Sequence, residues 1–279
     1  MTNYTDISGL GQVADNYDAL LVDIWGVIHN GREAFDDAVV ALERFKAERG
    51  PVILISNSPR PSVAIPAQFD EIGLPHSFYD AVVTSGDATI DELARRAPGP
   101  AFKLGPERDD GLYTGLDLNF VELKDAKFIS CTGLFDDENE TPEDYQDLLA
   151  DALARQLPLI CANPDMRVKR GDKLIYCGGA LAKKYEDMGG QTVYAGKPHK
   201  AIYRLSRAWL TEIAGYEIDA TRILAIGDNI QTDLVGAQNE NYDCLFVASG
   251  VYDGNSTQIR GLLEKHGIFV KYMLSSLSW

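Results

Sequence analysis

Three short apolar runs of this chain each end directly before a polar residue, and this pattern constrains the fold more than any other feature. The runs occupy residues 19–22, 52–55 and 223–227, and the polar residues that follow them are Asp23, Ser56 and Asp228. Continuous apolar runs of this length are typical of strands buried on both faces of a parallel sheet. Since such sheets build their sites at the carboxyl ends of the strands, the three side chains are predicted to meet there.

Helical patterns between these strands indicate that the sheet is parallel. Residues 36–49 carry apolar side chains at helical spacing, and Gly50 and Pro51 predict the end of that helix. A further strand is predicted over residues 81–84. Later patterns predict helices over 199–214 and from about 231, and a last strand over 244–247. Strands that alternate with helices favour an α/β fold.

The middle of the chain has a different character. From about residue 87 to residue 193 the regular alternation gives way to short elements, a Pro-Gly-Pro segment and an acidic loop. A chain of 279 residues is long enough for two domains. We therefore predict a discontinuous core formed by residues 1–86 and 194–279, with residues 87–193 inserted as a second domain.

Charge and cysteine content exclude several classes of function. The formal net charge of −16 at pH 7 disfavours nucleic acid as a partner. The four cysteines show no Cys-X-X-Cys pair and no spacing typical of zinc sites or disulfide frameworks, so reduced thiols are expected. The amino terminus lacks a signal-peptide pattern, and no apolar run approaches the roughly 18 residues that cross a bilayer. These features predict a cytoplasmic protein that does not bind membranes.

Together with two later residues, the polar side chains form a motif set that resembles one superfamily. In chain order, the motif residues are Asp23, Ser56, Lys197, Asp228 and Asp233. This order resembles haloacid dehalogenase-type phosphatases of class IIA, which have a large α/β cap and include p-nitrophenyl and sugar phosphatases. The resemblance covers roughly residues 18–250. It implies a Rossmann-like core with a parallel sheet and an α/β cap domain inserted between the second and third motifs.

The resemblance also implies roles for the motif residues. Asp23 would attack the phosphorus of a small phosphorylated substrate and form an aspartyl-phosphate. Mg²⁺ would be the cofactor, held by the carboxylates of Asp23 and Asp228 and by the backbone carbonyl of Trp25, since this cation prefers hard oxygen ligands. Lys197 and Asp233 would complete the catalytic set. The ammonium would neutralise phosphate charge, and the second aspartate would orient the ligands.

Phosphate and substrate contacts are expected from two places. In the core, Ser56 and Asn57 lie at a predicted strand-to-helix junction, where free backbone N–H groups can hold phosphate oxygens. In the inserted domain, the sequence Asn163-Pro164-Asp165 resembles a loop of the large-cap class. That resemblance implies that Asn163 and Asp165 contact the substrate. Taken alone, each segment also fits an ordinary turn or helix cap.

One position departs from the motif pattern. Trp25 stands where the family's phosphatases have a second aspartate, which protonates the leaving group and then activates water. An indole can do neither, and general acid–base catalysis is typically worth about 10²- to 10⁴-fold in rate. His29, six positions after Asp23, is a candidate substitute acid, although a structural histidine is commoner.

Two functions from different classes follow. The first is a Mg²⁺-dependent phosphatase for a sugar phosphate or an aryl phosphate, weakened by Trp25 or assisted by His29. The alternative is a non-catalytic binding or regulatory protein that keeps the fold. Retention of Asp23 favours the enzyme, because a pure binder needs no nucleophile. A phosphotransferase or mutase is a third interpretation, and the sequence leaves the natural substrate and a homo-oligomeric state open.

Overall fold

A computed structural model describes residues 4–250, 252 and 256–279, and it shows two parallel sheets flanked by helices. Among the described residues the strands are β1 Thr5–Asp6, β2 Ala19–Val22, β3 Val52–Ser56, β4 Ala81–Thr84, β5 Ala101–Leu104, β6 Phe128–Cys131, β7 Leu159–Cys161, β8 Arg167–Arg170, β9 Lys173–Tyr176, β10 Thr192–Tyr194, β11 Ile223–Gly227, β12 Asp243–Val247 and β13 Tyr272–Leu274. The α-helices are α1 Asp36–Glu48, α2 Ile65–Glu71, α3 Ser85–Ala94, α4 Gln146–Ala154, α5 Gly178–Asp187, α6 Lys200–Ala214, α7 Val235–Asn239 and α8 Ser256–His266. Within the described part of the chain, no helix combines the length and the apolar character that a membrane span requires.

The larger sheet has seven strands in the order β1-β13-β12-β11-β2-β3-β4, and every neighbouring pair is parallel. The predicted α/β class is therefore confirmed. β2 lies between β11 and β3, with Leu20 opposite both Leu224 and Val52. Because the three strands run in the same direction and in register, the residues that follow them emerge side by side at one edge of the sheet.

Alternate residues of the central strand pack on opposite faces of this sheet. Leu20 and Val22 lie in a cluster with apolar residues of α1 and α2. Ala19 and Leu21 lie in a second cluster with residues of α6 and α8. Both faces are covered, so the strands consist of continuous apolar runs. This burial explains why the sequence pattern predicted the central strands well.

The larger sheet extends further than the sequence predicted. The prediction ended it with a strand at 244–247, which corresponds to β12. In the structure β13 pairs with β12, and β1 pairs with β13. These added strands have three and two residues, and both residues of β1 are exposed. Strands this short carry too little periodicity to be recognised in a sequence.

The middle of the chain forms a second, smaller sheet. Its four parallel strands have the order β10-β7-β6-β5. Helices α4 and α5 pack on one face, where Leu149, Leu181 and Tyr185 join a cluster with the strands. The antiparallel hairpin of β8 and β9 follows β7 and stands apart from both parallel sheets.

Helix α3 connects the two sheets. Ala88 packs in a cluster with the larger sheet, whereas Leu93 packs in a cluster with the smaller one. The predicted boundary at residue 87 therefore falls inside α3, and the predicted boundary at 194 falls on the last residue of β10. The predicted core also includes residues 1–3, 251 and 253–255, which lie outside the described residues. The division into 1–86 with 194–279 and 87–193 stays a prediction.

Candidate active site

Three strands of the larger sheet bring polar side chains to one place. Asp23 follows β2, Asp228 follows β11, and Ser56 is the last residue of β3. The backbone N–H of Asp23 donates to the carbonyl of Ile226 at 2.8 Å, which continues the pairing of β2 with β11. The three polar residues are buried, with at most 7% of their surface exposed. The carboxyl edge of the sheet thus holds a set of enclosed polar groups.

Lys197 lies at the centre of the buried charges. It lies in the loop between β10 and α6, and its Nζ is 2.6 Å from Asp23 Oδ1 and 2.6 Å from Asp233 Oδ1. The same ammonium donates to the carbonyl of Ile55 at 3.1 Å. Since an ammonium has three donors, all of them are used on two carboxylates and a carbonyl. This arrangement fixes the orientation of the Asp23 carboxylate.

The electrostatics of the cluster favour the charged form of Lys197. Burial would lower the pKa of Lys197, but the nearby Asp23 and Asp233 carboxylates outweigh it and raise that pKa well above its usual value. Burial raises the pKa of Asp23 to about 7, with the Asp233 charge adding to the effect and Lys197 opposing it. Ammonium–carboxylate bonds of 2.6 Å stabilise both charged forms. We therefore assign Asp23 as a carboxylate.

Asp228 completes an acidic group that fits a divalent cation. Carboxylate oxygens of Asp23, Asp228 and Asp233 lie within 4.8 Å of one another, and all three residues are buried. Two glycines make room for Asp228, because a Cβ atom on Gly26 or Gly250 would lie 2.1 Å or 1.9 Å from its Oδ2. Gly26 also has a φ of +80°, which glycine adopts without strain. Clustered carboxylates are the ligands that Mg²⁺ prefers, so the residues present fit the predicted metal.

Asp233 is occupied by bonds within the protein. Its Oδ1 accepts from Lys197, and its Oδ2 accepts from the backbone N–H of Asn229 at 3.1 Å. The residue lies in a turn of π-helix, Ile230–Leu234, where the sequence predicted an α-helix from about residue 231. Such single π turns recur at functional sites. Both carboxylate oxygens of Asp233 are therefore engaged, one of them with Lys197.

Asn57 ties the Lys197 loop to the larger sheet and to the inserted segment. Its Oδ1 accepts from the backbone N–H of Lys197 at 2.7 Å, and its Nδ2 donates to the carbonyl of Lys197 at 3.1 Å. The same Nδ2 donates to Asp165 Oδ1 at 3.0 Å. Beside it, the Ser56 hydroxyl accepts from the backbone N–H of Ser58 at 3.1 Å. The structure therefore brings both predicted core phosphate ligands to the Lys197 site.

A cavity of about 250 Å³ is lined by residues from loops of both the larger and the smaller sheet. All four residues predicted to contact phosphate or substrate line it, namely Ser56, Asn57, Asn163 and Asp165. Asn163 Oδ1 accepts from the backbone N–H of Asp165 at 3.1 Å, which closes a local Asx turn. Burial raises the pKa of Asp165 to about 6, against the opposing charge of Lys197. The inserted segment thus contributes a carboxyl group to the same cavity as Asp23.

The candidate substitute acid His29 is buried away from the cavity. His29 is 3% exposed and does not belong to the described residues that line the cavity. Its Nδ1 accepts from the backbone N–H of Gly31 at 2.9 Å, and burial lowers its pKa to about 4. The ring packs edge to face against Trp25, with 5.1 Å between centroids. A neutral, enclosed imidazole cannot deliver a proton to the cavity, and its position in the sequence did not reveal which way it points.

Several contacts of the site were missed by the sequence analysis. Thr232 lines the same cavity as Asp165, and it belongs to the same motif as Asp233. Arg60, which follows β3, pairs with Asp109 of the inserted segment at 3.3 Å. Nothing in the sequence distinguishes such an arginine from an exposed one. The proximity of Thr232 to the motif aspartate is the one signal that could have been used.

Two family models match the chain, and both describe the same family. A haloacid dehalogenase-like hydrolase model matches residues 20–118, and a HAD-hydrolase-like model matches residues 194–265. The crystal structure of a haloacid dehalogenase-like hydrolase from Brucella suis is 42% identical, has a TM-score of 0.90 and covers 97% of this chain and 99% of that chain. The chain therefore belongs to the haloacid dehalogenase-like hydrolase family, and the resemblance found in the motifs is confirmed.

Two more distant relatives are named as phosphatases. An acid sugar phosphatase from Staphylococcus saprophyticus is 26% identical, and the alignment covers 85% of this chain and 88% of that protein. The structure of p-nitrophenyl phosphatase from Archaeoglobus fulgidus is 23% identical with a TM-score of 0.69, and it covers 94% of this chain and 97% of that chain. This second likeness shows a shared fold across the core and the inserted segment.

Proposed function

We propose that the protein is a Mg²⁺-dependent phosphatase that hydrolyses a small phosphorylated metabolite, a sugar phosphate or an aryl phosphate, through an aspartyl-phosphate. The observation that carries the proposal is the buried Lys197 ammonium, 2.6 Å from both Asp23 and Asp233. A protein that only binds phosphate needs the cation, but a carboxylate fixed beside it would repel the ligand. A nucleophilic role explains why Asp23 is held there.

The proposed reaction uses the residues at the carboxyl edge in two steps. In the first, an Asp23 oxygen forms a bond to phosphorus while the ester bond to the leaving oxygen breaks. The Ser56 hydroxyl and the backbone N–H groups after it would hold phosphate oxygens during the transfer. In the second step a water oxygen attacks phosphorus, the bond to Asp23 breaks, and inorganic phosphate leaves. Lys197 holds Asp23 in place in both steps.

The proposed metal ligands are the carboxylates of Asp23 and Asp228 and the backbone carbonyl of Trp25. Bound there, Mg²⁺ would neutralise charge on the phosphoryl oxygens. The carbonyl is present whatever side chain position 25 carries, so the metal site does not depend on the missing aspartate. Asp233 keeps Lys197 in position through the bonds described above.

The names of the relatives support the substrate class. One is an acid sugar phosphatase and another a p-nitrophenyl phosphatase, so both kinds of phosphate ester are included in the proposal. A reducing compartment is also proposed, because the four cysteines are free and buried. The cytoplasm meets that requirement.

Hydrolysis of p-nitrophenyl phosphate by the purified protein tests the proposal. We expect turnover with Mg²⁺, loss of turnover in excess EDTA, and loss in Asp23→Asn and Asp228→Asn. Asp37→Asn, an exposed aspartate of α1, is the matched control and should behave as the wild type. Undiminished turnover in EDTA would contradict the requirement for Mg²⁺. An active Asp23→Asn variant would contradict the role of Asp23 as the nucleophile. A folded wild type that binds phosphate esters without hydrolysing any would favour the non-catalytic binding function.

A further inference from the structure

Hydrolysis of an alkyl phosphate such as a sugar phosphate depends on a group that protonates the leaving oxygen, and position 25 cannot supply it. The cavity's described lining contains no histidine and no glutamate, so its carboxyl groups all belong to aspartates. Two of these, Asp23 and Asp228, are assigned above as nucleophile and metal ligand. The remaining aspartates of the lining are Asp109, Asp137, Asp165 and Asp172.

Two of these four pair with arginines, and a third is exposed. Asp137 pairs with the guanidinium groups of Arg108 and Arg170. Asp109 pairs with Arg60 at 3.3 Å. Asp172 is exposed in the turn of the β8–β9 hairpin. Asp165 is the remaining candidate.

We propose that Asp165 of the inserted segment is the general acid and base of this enzyme, in place of the aspartate that Trp25 replaces. This inference rests on the phosphatase function proposed above. It assigns the missing chemistry to a carboxyl group of the inserted segment that lines the same cavity as the nucleophile.

The direction of attack defines where a proton donor must act. In an in-line displacement, the attacking and leaving oxygens lie on opposite sides of phosphorus. Asp23 attacks from the end of β2, so the leaving oxygen must point away from the larger sheet. The inserted segment lines the cavity together with loops of the larger sheet, and Asp165 is the carboxyl group it holds against the Lys197 loop.

Contacts on both sides of the cavity fix the Asp165 carboxyl. Its Oδ1 accepts from Asn57 Nδ2 at 3.0 Å, and its backbone N–H donates to Asn163 Oδ1 at 3.1 Å. Thr232 lines the same cavity from the larger sheet's side. A second carboxyl oxygen is left to carry the proton. Such preorganisation is what a proton donor needs.

The charges around Asp165 favour a group that titrates near neutral pH. Burial is the largest effect and raises its pKa to about 6; Lys197 opposes this shift and Asp233 adds to it. Asp23 lies close enough to repel it. From its own segment it faces two buried thiols, Cys161 and Cys177, whose raised pKa values keep them neutral. A bound phosphate dianion would raise the Asp165 pKa further, since like charge disfavours the carboxylate.

The proton balance is complete with this residue alone. As the ester bond breaks, the carboxylic acid of Asp165 gives its proton to the leaving oxygen, which departs as an alcohol. The resulting carboxylate then takes one proton from the attacking water while the water oxygen bonds to phosphorus. Phosphate and free Asp23 are released, and Asp165 is protonated again for the next turnover.

The leaving group is the variable that tests this role. In Asp165→Asn, kcat/KM for an alkyl phosphate should fall about 10²- to 10⁴-fold, the usual worth of a general acid. The loss for an aryl phosphate should be at least about tenfold smaller, because a phenolate departs without a proton. The alkyl reaction of the wild type should decline with rising pH as Asp165 ionises, and the variant should lack that decline. Asp147→Asn, an exposed aspartate of α4, is the matched control and should show none of these changes.

Asp165→Glu keeps the acid and separates chemistry from structure. It should retain a ratio of alkyl to aryl rates within about tenfold of the wild type. A residue that merely fastens the inserted segment would instead raise KM for both esters alike in Asp165→Asn. Equal losses for the two esters in Asp165→Asn, or an unchanged pH profile, would overturn the role of Asp165. Absence of any Mg²⁺-dependent aryl hydrolysis in the wild type would instead overturn the phosphatase function.

Discussion

Removal of the shared ammonium gives a quantitative test of the buried ion cluster. Lys197→Met keeps an unbranched stem of similar length but leaves Asp23 and Asp233 without their common partner. Their oxygens lie within 4.8 Å of each other. At an effective dielectric constant of about 20, two unit charges at that distance repel by about 3.5 kcal/mol. Breaking a buried ion pair by removing one partner typically costs about 3–5 kcal/mol, so we expect the free energy of unfolding to fall by that amount.

Urea denaturation in EDTA, followed by tryptophan fluorescence and circular dichroism, measures this loss. Lys183→Met is the matched control, because Lys183 pairs with Asp187 on the exposed face of α5, where the side chains are 50% and 64% exposed. Exposed pairs one helical turn apart contribute only about 0.3–0.5 kcal/mol. A loss in Lys197→Met no larger than that of the control would refute the interpretation of Lys197 as the group that balances two buried carboxylates.

Three further predictions follow from the site. Gly26→Ala should lower Mg²⁺ affinity and activity, because the added Cβ would lie 2.1 Å from Asp228 Oδ2. The control is Gly261→Ala, where the added Cβ on α8 would meet open space. This variant should raise the free energy of unfolding by about 0.5–1 kcal/mol. Burial lowers the pKa of His29 to about 4 from 6.5, so the folded state resists its protonation. The free energy of unfolding should therefore fall by up to about 3 kcal/mol as the pH falls from 6.5 to 4. His29→Asn should remove this slope in urea denaturation at a series of pH values, and an unchanged slope would show that His29 is not its source. Trp25→Asp removes the ring contacts and should lower the free energy of unfolding by about 1–3 kcal/mol. It should also raise the rate of alkyl phosphate hydrolysis. An unaltered alkyl rate in the folded variant would show that position 25 does not reach the leaving group.

The catalytic edge of the larger sheet was predictable because burial and sequence periodicity coincide there. β2, β3 and β11 are buried on both faces, so their apolar runs stand out. Topology then requires that Asp23 and Asp228 meet, since the two strands are parallel neighbours. The same reasoning could not predict β1 and β13, whose short length leaves no periodic signal.

Details that depend on distant contacts were not predictable. The orientation of His29 is decided by packing against Trp25 and Phe69, and a single sequence does not specify which way a ring points. Gly26 and Gly250 stand far apart in the chain, and only the fold brings both against Asp228. Likewise, the contact of Asp165 with Asn57 joins residues 108 positions apart.

Detection of phosphate on Asp23 tests the central claim most directly. Wild-type protein in excess over an aryl phosphate, with Mg²⁺, is quenched in acid during a single turnover, and its peptides are examined by mass spectrometry. We predict a phosphate on the peptide that contains Asp23, formed and lost at rates that match turnover, and its absence in Asp23→Asn. Complete turnover with no phosphorylated Asp23 peptide at any time point would contradict the account.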